Sequence, residues 1–100
     1  MFSIIIPTYN NIDYFKICLN SINKNSTYDH EIIIHINEGS DGTKEYVNEN
    51  KLKHTYTKNN VGLCTGINLA ANLASKKYIL YCHDDMYFCP QWDEILLKEI

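Results

Sequence analysis

Two adjacent carboxylates, Asp84 and Asp85, follow directly on the apolar and aromatic run Tyr78-Ile79-Leu80-Tyr81-Cys82-His83. The run has the composition of a buried strand. Two unpaired anions cannot sit inside such a strand, because each would be desolvated without compensation. The strand therefore ends near His83, and the two acids stand at its C-terminal lip. In an open α/β sheet, the crevice beyond the carboxyl ends of the strands is where ligands bind. Two hard oxygen ligands there suit Mg²⁺ or Mn²⁺, ions usually shared with the phosphates of a substrate. A solvated acidic turn is the other reading of the same two residues.

The remaining reactive residue types narrow the chemistry by what they lack. Cys18, Cys64, Cys82 and Cys89 form no C-x-x-C pair, which leaves reduced thiols as the default. Cys82, His83 and Cys89 together match no common zinc spacing. All nine cationic side chains are lysines, so planar bidentate recognition of phosphate by guanidinium is absent. A net charge of −3 excludes the electrostatic footprint of a nucleic-acid binder. The N-terminus carries no basic n-region before its short apolar run, and no segment reaches membrane-spanning length. A cytoplasmic protein is the expectation from these features.

The elements that position the acidic lip follow from periodicity. One hundred residues make one domain at most. Phe2 to Ile6 reads as a first strand buried on both faces, stopped by Pro7, which removes a ladder donor. Thr8-Tyr9-Asn10-Asn11 is a loop in which Asn10 or Asn11 is placed to cap a helix. In that helix Ile12, Phe15, Leu19 and Ile22 recur at helical spacing. Glu31 to Ile36 is a near-continuous apolar strand, as in a parallel sheet, with His35 as a hydrogen-bonded strand residue. Asn37 to Thr43 is dense in turn formers, and Ser40 or Asp41 can cap a short helix whose apolar contacts are Tyr46 and Val47. His54 to Thr57 reads as an edge strand. Leu63 to Ser75 has helical periodicity, with small residues at Gly66, Ala70, Ala71 and Ala74 that permit close approach to a sheet. After Pro90 a last helix turns Trp92, Ile95 and Leu96 inward, with Asp93 and Glu94 at its positive end. Such alternation specifies an α/β fold: a mainly parallel sheet with helices on both faces and right-handed crossovers.

Four segments, taken in order, resemble family 2 glycosyltransferases of the GT-A fold. Ser3-Ile4-Ile5-Ile6-Pro7-Thr8-Tyr9-Asn10 is similar to that family's opening strand and loop, and Ser40-Asp41-Gly42-Thr43 to its turn into the second helix. Asn60-Val61-Gly62 followed by Asn68-Leu69-Ala70 resembles its Asn-x-Gly and Asn-x-small segment. Tyr78 to Asp85 resembles the strand that leads to its metal-binding Asp-x-Asp motif, with Pro90 downstream. The resemblance spans nearly all of residues 1–100 but only the nucleotide-sugar-binding, Rossmann-like half of the family's domain, so a fragment is the expectation. It implies that Pro7, Thr8, Tyr9 and Asn10 cradle a nucleotide base, uracil or similar, and that Asn68 belongs to the donor site. The acidic residue that reads the base edge falls at Ile36 by strict spacing, and Glu38 serves if the loop is shifted. A basic residue of the third helix is replaced by Ile67. The first Asp of the motif aligns with His83, so Asp84 faces the ribose or sugar, Asp85 is the main metal ligand, and His83 is a third ligand or a spacer.

The implied reaction is inverting transfer of a sugar from a nucleotide diphosphate sugar, a UDP-sugar by expectation, to an unidentified acceptor, with Mn²⁺ or Mg²⁺ neutralising the diphosphate. No catalytic residue is assigned: the carboxylate base that deprotonates the acceptor is expected beyond Ile100, which makes the 100-residue chain inactive by itself. A non-catalytic nucleotide- or metal-binding half-domain is the competing reading. A phosphoacceptor domain ranks below both, because it needs further acids after the first strand and Pro7-Thr8-Tyr9-Asn10 supplies none. Met86, Tyr87, Phe88 and Trp92 are expected to form an uncovered apolar face that favours self-association.

Overall fold

A computed structural model describes residues 1–100. The elements run β1 (Phe2–Tyr9), α1 (Ile12–Asn25), β2 (Glu31–Asn37), α2 (Thr43–Glu49), β3 (Lys53–Thr57), α3 (Leu63–Ala71), β4 (Tyr78–Tyr81) and α4 (Trp92–Lys98). The four strands form one sheet in the order β3-β2-β1-β4, and every pairing is parallel. The central pair, β1 and β2, carries the most continuous β-branched sequence and is the most deeply buried: Ile4, Ile5, Ile6, Ile33, Ile34 and Ile36 are all fully enclosed. Burying each such side chain is worth about 1.5–3 kcal/mol. No helix is long and apolar enough to cross a membrane.

The two faces of the sheet are covered unequally. On one side Phe15, Cys18, Leu19 and Ile22 of α1 and Val47 of α2 pack on Ile4, Ile6, Ile34 and Ile36, and Trp92, Leu96 and Leu97 of α4 extend the cluster under Tyr78 and Leu80. On the other side α3 alone closes a small cluster of Ile5, Ile33 and Ala70, joined by Ile67 and Ala74. This helix approaches closely because it presents Gly66 to the sheet: a Cβ there would lie 2.7 Å from the His35 ring.

Several local expectations are corrected by the tertiary arrangement. Pro7 does not end β1, which continues to Tyr9 in register with Asn37. It ends only the pairing with β4. The Cys82 amide donates to the Ile5 carbonyl (3.0 Å), so by alternation the backbone of Pro7 faces the same side, where β4 has already run out and no donor is needed. β4 is not buried on both faces but is an edge strand, with Ile79 54% and Tyr81 36% exposed. The α3 helix stops at Ala71, short of Ser75. Neither Asn10 nor Asn11 caps α1. Asp41 does so from the β2–α2 loop: one carboxylate oxygen accepts from the Ile12 amide (3.0 Å), the other from the Thr43 amide (3.1 Å) and hydroxyl (2.6 Å). A single side chain thus ties together the starts of α1 and α2. Burial works to raise the Asp41 pKa, and these bonds outweigh it and hold it low.

The last helix departs furthest from expectation. Ile95 points outward and is 61% exposed, whereas Asp93 is fully buried. Rather than serving the helix dipole, Asp93 accepts from the amides of Thr27 and Tyr28 (2.9 Å each to Oδ2) and from His30 Nε2 (2.9 Å). The Phe2 amide donates to His30 Nδ1 (3.1 Å), which fixes the ring as the tautomer whose Nε2–H donates to Asp93. Burial alone would raise the Asp93 pKa; the Tyr28 and Thr27 amides and His30 overcome it and bring it to about 2.

Candidate functional site

The C-terminal ends of the strands open onto a cleft of about 370 Å³. Its floor is Pro7, Thr8, Tyr9, Asn10 and Asn11 at the end of β1. Asn37, Asn60, Gly62 and Leu63 wall the β2 side, and His83 and Asp84 wall the β4 side. A parallel sheet creates such a crevice when neighbouring crossovers leave in opposite directions. Here α1 leaves β1 toward one face while α3 lies on the other. The lining is polar, with one carboxylate and no lysine.

Asp84 is held in place by the loop it faces. Its Oδ2 accepts from the Thr8 hydroxyl (2.8 Å) and its Oδ1 from the Asn11 side-chain amide (3.2 Å). The first loop and the acidic lip, which the family resemblance assigns to one donor, share one cleft. Asp85 is exposed at the lip, beside Asp84, and is not part of the cleft lining. His83 lines the cleft, with a ring nitrogen 3.2 Å from the Tyr81 hydroxyl. The Tyr81 pKa is raised, by burial first and then by negative charge that includes Asp84.

The far end of the cleft is built on Asn37, which the sequence reading took only as a turn former, and on His35, read there as a hydrogen-bonded strand residue. Asn37 is 4% exposed, and its Oδ1 accepts from the Val61 amide (3.1 Å) and the Thr57 hydroxyl (3.2 Å), with His35 Nε2 also at 3.2 Å. A backbone N–H can only donate, so the bond from Val61 settles which way the amide points. His35 Nδ1 lies 2.7 Å from the Thr55 hydroxyl. Burial lowers the His35 pKa, so the ring is a neutral strut beneath Asn37. The signal for Asn37 was available: a polar residue closing an isoleucine-rich strand at the same lip as Asp84.

Tyr9 is half exposed at the cleft, and Asn10 beside it has a left-handed backbone (φ 44°). Asn10 Nδ2 donates to Glu38 Oε2 (2.8 Å), and Glu38 is also left-handed (φ 65°). Paired strain of this kind costs of order 1 kcal/mol per residue and clusters at ligand sites. Asn10 Oδ1 is buried without a partner. Glu38 reaches the site only through Asn10. Asn68 is exposed on α3 and does not line the cleft.

The residues present fit a divalent cation in a limited way. No three His, Cys, Asp or Glu side chains converge into a complete cage. Mg²⁺ and Mn²⁺ need only one or two carboxylates when substrate phosphates supply the other oxygens, and the Asp84–Asp85 lip offers that set.

A family model described as glycosyl transferase family 2 matches residues 3–100, and the chain belongs to that family. Two curated relatives from Pasteurella multocida, a chondroitin synthase (strain Pm70) and a hyaluronan synthase, are each 34% identical over 102 residues. These alignments cover 97% of this chain but only 10% of either synthase. Among solved structures, S. aureus TarS residues 1–349 superposes with a TM-score of 0.86 at 25% identity, over 97% of this chain and 31% of that one. The same TarS fragment has been crystallised with UDP-GlcNAc, and that complex matches with the same TM-score. The α/β fold with its parallel sheet is accordingly a Rossmann-like half of the GT-A architecture.

Proposed function

We propose that this chain is the donor-binding half of a metal-dependent, inverting glycosyltransferase that takes a nucleoside diphosphate sugar, a UDP-sugar in the first instance. The observation that carries the reading is the Thr8–Asp84–Asn11 bridge, which puts the first loop and the acidic lip on one cleft. TarS, which binds UDP-GlcNAc, supports the choice of uridine. In this reading Tyr9 and Asn10 receive the base, with Asn37 and Glu38 behind them. Asp84 faces the ribose or sugar, and Asp85 with His83 holds Mn²⁺ or Mg²⁺. The ion, when bound, would supply the positive charge that a leaving diphosphate requires. The chain's own task is to orient the donor and to keep one carboxylate fixed beside it.

Asp84 is the only carboxylate in the lining, so the cleft contains no second acid placed to deprotonate an acceptor hydroxyl. Calorimetry with UDP tests the donor site directly. Binding is expected with Mn²⁺ and is expected to fall at least about tenfold in chelator or in Asp85→Asn. Equal affinity in chelator would remove the metal, and no binding under any condition would remove the donor site.

A further inference from the structure

We propose that Asn37 sets the base selectivity of the cleft: its side chain offers a ligand a hydrogen-bond donor and no acceptor, and so takes the 4-carbonyl of uracil and rejects the 4-amino group of cytosine. The polarity follows from bonds that the chain itself makes. Asn37 Oδ1 accepts from the Val61 amide (3.1 Å) and the Thr57 hydroxyl (3.2 Å), and His35 Nε2 lies 3.2 Å from the same oxygen. An amide oxygen has two lone pairs, so this one is fully used. Turning the side chain over would set its NH2 against the Val61 N–H, donor against donor, and leave that amide unpaired. Nδ2 has no partner within the chain, yet it is not sealed off, because Asn37 forms part of the cleft wall. It has room there because α3 presents Gly66: a Cβ at that position would lie 3.4 Å from Nδ2 and 2.7 Å from the His35 ring that backs it. The same arrangement gives a task to a histidine buried in an isoleucine-rich strand. With the Thr55 hydroxyl at Nδ1 (2.7 Å), the tautomer that carries Nε2–H satisfies both ring nitrogens and helps to lock Asn37.

The walls of the cleft decide which atom of the base meets Nδ2. Asp84 stands on the β4 side and Asn37 on the β2 side, with Tyr9 on the floor between them, level with Asn37 in the β1–β2 register. This placement rests on the nucleotide-binding reading above, which puts the ribose or sugar at Asp84. In a pyrimidine nucleotide C4 lies across the ring from the glycosidic bond. A base joined to a ribose at the Asp84 wall therefore directs its C4 substituent across the floor to the β2 wall. Uracil carries a carbonyl oxygen there, an acceptor for Nδ2–H. Cytosine carries an NH2 group, whose hydrogens would meet those of Asn37 and leave donors unpaired in a nearly closed corner. Both nucleotides bear the same diphosphate, so effects of metal and charge cancel in the ratio of their affinities.

Calorimetry with UDP and with CDP, each in the presence of Mn²⁺, tests this on the 100-residue chain. UDP is expected to bind at least about tenfold more tightly. Equal affinities overturn the role of Asn37 and leave the donor site standing, whereas binding of neither nucleotide overturns both. Asn37→Leu deletes the donor and should bring the ratio close to one by weakening UDP. A full preference that persists in folded Asn37→Leu also overturns the assignment. Should that variant fail to fold, because the Val61 amide has lost its acceptor, NMR of the unmodified chain decides. On saturation with UDP the side-chain amide signals of Asn37 should move, one proton shifting downfield as it enters a hydrogen bond. Signals that stay in place overturn the proposal.

Discussion

Asp93 and Asp84 are the same side chain put to opposite uses at opposite ends of the sheet. Near the N-terminal ends of β1 and β2, Asp93 is saturated by the Thr27 and Tyr28 amides and by His30, with no surface left to solvent. Glu31 at the same end is met by the Ser3 hydroxyl, Lys53 and both donors of Ser75. At the C-terminal end, Asp84 is held by one hydroxyl and one side-chain amide, and a face of it stays open to the cleft. A carboxylate whose lone pairs are consumed by backbone amides is a structural fastener. One that is oriented by neutral side chains keeps capacity for a ligand. In this chain hydrogen-bond saturation separates the two roles more clearly than burial or residue type.

That contrast is sharpest in stability. Asp93→Ala removes the acceptor of three amides, those of Thr27, Tyr28 and Glu94, and of a histidine in a closed site, and should cost about 3 kcal/mol, read as a lowered urea midpoint. It should not alter UDP affinity in the folded fraction. A loss near zero would mean that water replaces the carboxylate and that the fastener is dispensable.

Acid should loosen the same end of the molecule. Asp93 and Glu31 both have folded pKa values of about 2, below their ordinary values of 3.8 and 4.5. For Glu31 the Ser3 hydroxyl is the chief cause, with Lys53 and Ser75 adding to it against the opposing effect of burial. A depressed carboxylate contributes stability that is complete above the unfolded pKa and disappears as pH falls through the folded one. Stability should therefore decline between about pH 5 and pH 2. Urea titrations at stepped pH check this, and Asp93→Asn should flatten the slope. An unchanged slope would assign the acid sensitivity elsewhere.

The smallest effect on stability is expected at the functional end. Asp84→Asn keeps an acceptor for the Thr8 hydroxyl and should cost less than about 1 kcal/mol, while weakening binding of UDP with Mn²⁺. A large loss of stability with unaltered binding would invert the contrast and make Asp84 the fastener.

Much of the architecture was legible in local pattern. The order of strands and helices, the edge position of β3 and the inward residues of α1 follow from periodicity and from turn chemistry. The acidic lip was legible because two anions cannot share a strand interior. Less was legible where a polar side chain works across the fold. Asp93 reads as a first-turn helix acid because its sequence neighbours are those of a helix start, and it does accept from the Glu94 amide (3.1 Å), yet its other partners, Thr27, Tyr28 and His30, lie more than sixty residues away. Asp41 reads as the cap of α2 and caps α1 as well. Of the apolar residues expected to lie bare, Met86 and Tyr87 do, but Phe88 is buried with its amide on the Ser21 hydroxyl, and Trp92 is largely covered.

Sequence alone determined the element types, the parallel α/β class and the place of the acids at the end of β4. Each of these depends on backbone periods and desolvation costs that act within a few residues. Tertiary structure decided which carboxylate is spent and which is open, that Asn37 closes the far end of the cleft, and that β4 lies at the rim. These depend on which donors long-range folding brings within 3 Å of an oxygen. The Thr8–Asp84 bond, between residues 76 positions apart, has no trace in local pattern, because it exists only once β4 has docked beside β1.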